Sequence, residues 1–345
     1  MLTATLLLQA SLLAHPLYLE PEQPELHSAQ HILLFHDELA ESPFETGMGE
    51  KETIELMEQL RERVVAGESI GDLARQYSHA KTSLHDGSLG SYPEGLLREP
   101  FNTFLFKADM GELSSVLVDD KGVHLIQRVP THAAVKMILL SGTGVEQRSL
   151  ADRLVAELRG GADFAALAAE HSTDPTSKAN GGRYHVFERG PNDASIKAAA
   201  FRAKVGEILD PIESPLGLHI MQRVEPDDFP RELWANNFIR VRGILVKHTG
   251  AKGAEETFNR EKGEALDMAE EIIRRVNAGE ESFESIAARF NDDPDGKERK
   301  GDLGWIHRGN PDLPLFLTLL FNAQPGTVSR AFVTEYGMVV LYRER

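Results

Sequence analysis

The feature that most constrains this chain is a short apolar pattern that recurs three times along it. The segments AQHILL, VKMILL and VRGILV begin at residues 29, 135 and 241, so both intervals are 106 residues. A repeat at a fixed interval indicates that the chain consists of several copies of one folding unit. Because units of roughly 95 to 110 residues are near the common domain size, each copy can bury a core of its own.

Each copy continues with the same order of predicted elements. Apolar residues at helical spacing follow the first strand, and a Gly-containing break then precedes a second, shorter helix. The apolar positions of the long helices are Ile54, Met57, Leu60 and Val64, then Leu150, Leu154, Val155 and Leu158, then Ala265, Met268, Ile272 and Val276. A Gly-rich turn and an alternating, β-branched strand at 122–129, 217–224 or 337–344 complete the copy. This order predicts one α+β domain per copy.

Polar or proline-bearing joints separate the copies, at residues 130–133 and 225–231. Such composition is typical of linkers between domains. We therefore predict an apolar N-terminal segment at 1–24, followed by three tandem domains at 25–130, 131–226 and 227–345.

The N-terminal segment contains two apolar runs, at residues 6–8 and 12–14. These runs are too short for a membrane-spanning helix and are typical of the core of a signal peptide, with cleavage near Ala14. The basic residues that normally precede such a core are missing, because the first Lys or Arg is Lys51. We expect export to the periplasm or cell envelope. The alternative is a cytoplasmic protein whose apolar segment packs on the first domain.

Charge and cysteine content exclude several classes of function. A formal net charge of -17 opposes binding to nucleic-acid phosphates, which relies on concentrated Lys and Arg. The lack of cysteine excludes disulfides, thiolate nucleophiles and cysteine-built zinc sites. We expect no metal site, because His31 and His36 point to opposite faces of one strand and no H-E-x-x-H pattern occurs. The expected partners are polypeptides, with no nucleic acid and no stable membrane span.

An ordered set of motifs in the first copy resembles the parvulin family of peptidyl-prolyl cis/trans isomerases. The set comprises H-I-L, Y-S, G-x-L-G, a Phe-containing helix, G-E-x-S and a closing G-x-H strand, at 31–33, 77–78, 87–90, 101–106, 111–114 and 122–124. Across the three copies the resemblance covers residues 29–345. It implies three tandem parvulin-like domains, each a four-stranded antiparallel sheet flanked by about four helices, with a proline pocket on one face.

Rotation about an X-Pro bond has a barrier of about 18 to 20 kcal/mol and breaks no bond. A catalyst needs an apolar seat for the ring and polar groups that favour the twisted amide, but neither a nucleophile nor a cofactor. An antiparallel sheet can bring His31 and His124 side by side, and the resemblance implies that such a pair lies beneath the proline site. The resemblance also implies that the pocket is lined by Leu89, Leu97, Phe101 and Phe106. The alternative is that all six are ordinary core residues.

The first copy departs from the family pattern at one position. Two residues after Ser78 the family usually carries Asp or Cys, whereas this chain has Ala80. A polar partner for the substrate amide is therefore missing there. His79 and Asp86 are the nearby side chains considered as substitutes.

The second copy has a less complete site than the first. It keeps Asp174 and His219, but Met137 stands where the first copy has His31. Tyr184 and Ile196 replace pocket residues, so the predicted pocket is altered. We interpret this domain as degenerate, with a substrate-holding or architectural role, and residual isomerase activity is the alternative.

The third copy has lost both histidines. It keeps Asp293, Leu303 and Phe316, whereas Gly243 and Val339 occupy the two histidine positions. A histidine pair cannot form there, so this domain is also interpreted as substrate-holding. For Asp293, as for the aspartate of the second copy, the alternative role is to cap a turn.

The favoured hypothesis is a peptidyl-prolyl isomerase that assists protein folding and acts mainly in the first domain. Its expected substrates are proline-containing unfolded or nascent polypeptides. The main alternative is a non-catalytic chaperone in which three shallow apolar grooves bind unfolded chains multivalently. Phosphorylated substrates are not expected, because residues 1–50 contain eight Asp or Glu and no Lys or Arg.

Overall fold

The computed structural model describes residues 22–345, except 192, 194, 236, 256–257 and 309–312. The described residues form three four-stranded antiparallel sheets, each packed with helices. This confirms the predicted α+β class with three tandem domains of that kind. Both apolar runs of the predicted N-terminal segment lie outside the described residues.

The first sheet has the strand order β2-β1-β4-β3. Its strands are β1 His27–Leu34, β2 Ser88–Tyr92, β3 Leu117–Asp119 and β4 Gly122–Val129. Its helices are α1 Glu50–Val65, α2 Ile70–Tyr77 and α3 Phe101–Lys107, with a 3-10 turn at Lys81–His85. Met57, Leu60 and Val64 of α1 are buried, as the helical spacing predicts.

The second and third sheets repeat this order, as β6-β5-β8-β7 and β10-β9-β12-β11. The second domain contains β5 His132–Ser141, α4 Val145–Arg159, α5 Phe164–His171, α6 Pro175–Ala179, β6 Arg183–Glu188, α7 Ser195–Arg202, β7 Ile212–Ser214 and β8 Gly217–Val224. The third contains β9 Phe238–Val246, α8 Lys262–Asn277, α9 Phe283–Phe290, α10 Pro294–Glu298, β10 Asp302–His307, α11 Leu315–Thr318, a 3-10 turn at Leu319–Asn322, β11 Phe332–Thr334 and β12 Gly337–Arg343.

The first sheet has a different apolar cluster on each face. Ile32 and Leu125 pack with residues of α1 and α2, whereas Ala29 and Ile126 pack with residues of α3. Alternate residues of a strand point to opposite faces, so the same two strands contribute to both clusters. His31 alternates with Ile32 and therefore lies on the α3 side of the sheet.

All three domains share a tight turn before the second strand of the sheet. In each, a first-strand amide donates to a glycine carbonyl at the turn, namely His31 to Gly87 at 2.8 Å, Met137 to Gly182 at 2.7 Å and Gly243 to Gly301 at 2.7 Å. The residue before this glycine has a positive φ, which is 60° at Asp86, 61° at Gly181 and 55° at Lys300. These three residues therefore occupy equivalent positions in the repeat.

Residues 26–235 form one compact unit, and residues 237–345 belong to another. The first unit extends past the predicted boundary at 226, because Phe229 and Trp234 pack with Val186 of the second sheet. The amide of Ala235 also donates to the carbonyl of Val186 at 2.8 Å. Residues 229–235 are thus tied to the second domain by apolar contacts and a hydrogen bond.

The helices of the described residues are short and amphipathic. The longest are α1 and α8, with 16 residues each. Within the described ranges, none combines the length and apolar character that a membrane-spanning helix requires.

Candidate active site

Two histidines of the first domain lie near each other on one face of the sheet. Leu33 stands opposite His124 and Ile126 opposite His31 in the antiparallel pairing of β1 with β4, so the histidines are diagonal neighbours. Aromatic side chains can reach each other across such a diagonal. The two ring centroids are 6.4 Å apart and the ring planes differ by 28°. The structure therefore brings together the two histidines that were proposed as catalytic.

Each of these imidazoles has one hydrogen-bond partner at Nε2. Thr82 Oγ1 lies 2.9 Å from Nε2 of His31, and Asp119 Oδ1 lies 3.1 Å from Nε2 of His124. The Nδ1 atoms of both rings are buried and have no partner among the described residues. Because a carboxylate only accepts, we assign the proton of His124 to Nε2, which leaves its Nδ1 as an acceptor.

Both imidazoles are neutral at pH 7. Burial, followed by the repulsion that two protonated rings would feel and by the charge of Arg98, lowers the pKa of His31 to about 4. Burial also lowers the pKa of His124, although Asp119 opposes this shift. Burial acts to raise the pKa of Asp119, but the Lys121 amide, His124 and Arg98 together bring it below its usual value. The site thus holds two neutral rings beside one carboxylate.

The four apolar side chains proposed for the pocket belong to one cluster on the histidine face, which contains Leu89, Leu97, Phe101 and Phe106. Phe101 is only 6% exposed, and its ring meets His124 edge-on with a centroid distance of 4.8 Å. The other three are half-buried. Phe106 stacks on His27 at 4.4 Å, so it packs against the start of β1. The half-buried members leave apolar surface beside the histidines.

Two charged residues at this site were missed by the sequence analysis. The guanidinium of Arg98 lies 4.6 Å from the Phe101 ring centroid, and its Nη1 is 2.6 Å from Oδ2 of Asp119. The repeats carry a signal for Asp119, because Asp119, Ser214 and Thr334 each pair with the glycine that opens the closing strand. A polar residue at this position in every copy is a pattern that apolar periodicity does not reveal.

The two side chains considered as substitutes at Ala80 make contacts away from the histidine pair. Nδ1 of His79 accepts from the amide of Phe35 at 2.9 Å. Asp86 forms an ion pair with Arg202 of the second domain. Both side chains are thus occupied elsewhere in the structure.

The second domain pairs a histidine with a methionine. Nδ1 of His219 lies 3.2 Å from Sδ of Met137, and Nε2 lies 2.7 Å from Oγ of Ser214. Tyr184 and Ile196 pack in the same cluster as Met137. Burial lowers the pKa of His219. This site therefore contains one neutral imidazole with a hydroxyl partner instead of a carboxylate.

The third domain fills the equivalent space with aliphatic side chains. Val339 is fully buried, and a Cβ on Gly243 would lie 2.9 Å from Cδ1 of Leu303. An imidazole at position 243 would therefore require Leu303 to move. Phe316 is half-buried, with its ring centroid 5.5 Å from that of Phe332. An apolar core replaces the histidine pair in this domain.

Asp174 and Asp293 act as helix caps. Asp174 accepts from the amide of Ser177 at 2.7 Å at the start of α6, and Asp293 accepts from the amide of Gly296 at 3.1 Å at the start of α10. Proline follows each aspartate at the first helical position, where it favours helix initiation. The contacts of both aspartates are therefore those of a capping residue, which is the alternative role considered for them.

Two protein-family models together match most of the chain. A model described as the PPIC-type PPIASE domain matches residues 21–130 and again 127–227, and a second model with that description matches 244–345. The chain belongs to the PPIC-type peptidyl-prolyl isomerase domain family. This confirms the resemblance to parvulins.

Two relatives with similar sequences are longer than this chain. Chaperone SurA of Alcanivorax borkumensis is 27% identical over 214 residues, which are 62% of this chain and 45% of that protein. Chaperone SurA of Pseudomonas putida is 30% identical over 185 residues, or 54% and 40%. The chain thus spans less than half the length of these two relatives. Among solved structures, PrsA of Bacillus cereus is 31% identical, with coverage of 30% and 38% and a TM-score of 0.25.

The first PPIC-type domain combines an apolar cluster with polar groups of defined orientation. Its neutral imidazoles, together with the Asp119 and Arg98 ion pair, provide both donors and acceptors next to Phe101. Fixed polar groups of this kind suit a reaction in which charge on an amide shifts but no bond breaks. The other two PPIC-type domains carry different residues at one or both histidine positions.

Proposed function

We propose that this protein is a peptidyl-prolyl cis/trans isomerase that acts mainly through its first domain, while the second and third domains hold substrate. The observation that carries the proposal is the neutral pair of His31 and His124 next to the cluster of Leu89, Leu97 and Phe101.

The apolar cluster provides the first part of the proposed mechanism. The proline ring packs on Leu97 and Phe101, which removes water from the preceding amide. A planar amide is more polar than a twisted one, because resonance separates its charge. Loss of water therefore disfavours the planar ground state more than the twisted transition state, and this difference lowers the barrier.

The polar groups provide the second part. Arg98 is 43% exposed, lies over Phe101 and is oriented by Asp119. We assign to it a hydrogen bond to the prolyl nitrogen, whose lone pair is freed as the amide twists, so this contact is stronger in the transition state than in the planar ground state. His31 and His124 hold the floor of the site in shape and add no charge to it, because both are neutral at working pH. Groups fixed before the substrate arrives need little reorganisation during rotation.

The test is a protease-free isomerisation assay, by NMR exchange, on an X-Pro peptide and the full chain. Leu97→Ala is expected to lower kcat/KM about tenfold, equivalent to about 1.4 kcal/mol of lost transition-state contact. The matched control is Ile273→Ala, a half-buried apolar residue in the other apolar cluster of the third domain, which should leave kcat/KM unchanged. Lack of turnover by the wild-type chain, or equal losses in both variants, would reject a catalytic site in the first domain.

A non-catalytic chaperone is the second candidate function. It is favoured by the filled site of the third domain and by the exposed apolar side chains of Leu315, Leu319 and Val333 in the same domain. Two matched relatives are also named chaperones. If the chain keeps an unfolded reporter soluble but never speeds X-Pro exchange, this function replaces the isomerase.

For location and clients, we propose a periplasmic protein that acts on proline-containing unfolded or nascent polypeptides. The support is the pair of apolar runs at residues 6–8 and 12–14, which are typical of a signal peptide core. N-terminal sequencing of the protein from fractionated cells tests this. A mature N-terminus near residue 15 in the periplasmic fraction is expected, whereas an intact N-terminus in the cytoplasm would reject it.

A further inference from the structure

The second domain contacts the edge strand β2 of the first domain. At one side of this strand, Ser88 Oγ donates to the carbonyl of Gly190 at 2.8 Å, and Ser91 Oγ donates to the carbonyl of Arg189 at 2.7 Å. Both serines are buried within the unit that contains the two domains. A loop of the second domain therefore contacts the edge strand of the first sheet through two backbone carbonyls.

An ion pair extends this contact to the turn before β2. Arg202, the last residue of α7, donates to both carboxylate oxygens of Asp86, from Nε to Oδ2 at 2.6 Å and from Nη2 to Oδ1 at 3.0 Å. Arg75 of the first domain pairs with the same carboxylate. Asp86 is only 7% exposed. A two-point guanidinium contact with a buried carboxylate fixes geometry more strongly than an exposed ion pair does.

The backbone at Asp86 tolerates an aspartate but does not require one. Its φ of 60° lies in the left-handed region, a conformation that glycine adopts most easily. The equivalent residue in the second domain is Gly181. The third domain has Lys300 there, so the carboxylate that binds Arg202 and Arg75 occurs only in the first copy.

The segment held by Asp86 supplies groups to both parts of the candidate site. Thr82, before Asp86, contacts His31 Nε2 at 2.9 Å, and the Gly87 carbonyl accepts from the amide of His31 at 2.8 Å. Leu89, after the turn, belongs to the apolar cluster. A shift of the turn would therefore displace the imidazole partner and the pocket wall together.

We infer that Arg202 of the second domain is a positioning residue for the proline pocket of the first domain. Through Asp86 it keeps Thr82 and Leu89 in place, so a domain without a histidine pair supports the activity of its neighbour. The inference rests on the proposed isomerase function of the first domain.

The test compares Arg202→Ala with Arg148→Ala in the full chain. Arg148 is also a half-exposed arginine of the second domain, and it pairs with Glu213. We expect Arg202→Ala to lower kcat/KM about fivefold to tenfold, with Arg202→Lys restoring part of the loss, and Arg148→Ala to have no effect. Asp86→Gly keeps the left-handed turn but also removes the ion pair with Arg75, so it should lower kcat/KM at least as much as Arg202→Ala does. The double variant should be no worse than Asp86→Gly alone, because that substitution already removes the contact with Arg202.

Amide hydrogen exchange in β2 provides a readout that does not depend on turnover. Arg202→Ala should raise the exchange rates of Ser88–Tyr92, whereas Arg148→Ala should not. Exchange and kcat/KM like those of the wild type in Arg202→Ala would overturn the inference, and so would additive effects of the two substitutions. If the wild-type chain lacks turnover, the isomerase proposal fails, and unchanged exchange at β2 separately rejects the role of Arg202.

Discussion

The first and third domains share a sheet order but differ at the place where the first carries its histidines. In the third domain Gly243 and Val339 take these positions, and Leu303 fills the space. The third sheet therefore forms without any imidazole at these positions. Because burial of a polar ring costs free energy unless its nitrogens are bonded, His31 and His124 need a reason other than folding. The comparison indicates that the fold does not require the pair of His31 and His124.

The second domain lies between these two cases. Its His219 is retained, but the partner of Nε2 is Ser214, whereas the equivalent partner in the first domain is Asp119. Only a carboxylate can form the ion pair that Asp119 makes with Arg98. The second domain thus keeps one imidazole with a hydroxyl partner and lacks the ion pair of the first domain.

The largest expected effect is on turnover. It comes from replacing the two histidines of the first domain by the residues that the third domain has at those positions. His31→Gly combined with His124→Val should lower turnover about a thousandfold, towards the uncatalysed rate, because the floor of the pocket loses both polar rings. Isomerisation measured by NMR exchange gives the rate, and circular dichroism checks that the sheet persists. His219→Val in the second domain is the control. Near-normal turnover in the double variant would show that the pair is structural.

The next effect is on stability and concerns the pH dependence of His31. Its pKa is about 4 in the folded chain and about 6.5 when unfolded. Between these pH values the unfolded chain binds a proton at His31 that the folded chain does not. The free energy of unfolding is therefore unaffected by His31 above pH 6.5 and decreases as the pH falls towards 4. The expected loss of unfolding free energy is about 3 kcal/mol.

Urea unfolding at several pH values tests this. His31→Gln should lack that part of the decrease, as should the third domain, which has Gly243 at the equivalent position. Parallel curves for the wild type and the variant would contradict the shifted pKa of His31.

The smallest expected effect is on domain stability. It distinguishes an aspartate that caps a helix from one that acts in a site. Asp174→Ala and Asp293→Ala should each destabilise their own domain by about 1 kcal/mol, because each removes the acceptor for a helix N-terminal amide. Neither substitution should change kcat/KM. Thermal unfolding and the isomerisation assay measure the two quantities. A loss of turnover at unchanged stability would give that aspartate a role in the site.

The sequence by itself determined the repeat, the fold class and the side of the sheet on which the candidate residues lie. Helical spacing predicts the buried face of Met57 and Leu60, and strand alternation places His31 on the face opposite Ile32. These properties follow from local periodicity, because a residue's face depends only on its position within its own helix or strand.

Only the tertiary structure decided which distant groups meet. The diagonal register of β1 and β4 sets the ring distance of the histidines, and the ion pair of Asp86 with Arg202 joins residues 116 positions apart. Arg98 and Asp119 likewise lie in short segments whose apolar pattern carries no information about their contacts. Strand register and the packing of two domains depend on loop geometry and on the whole core, which no local pattern of residues encodes.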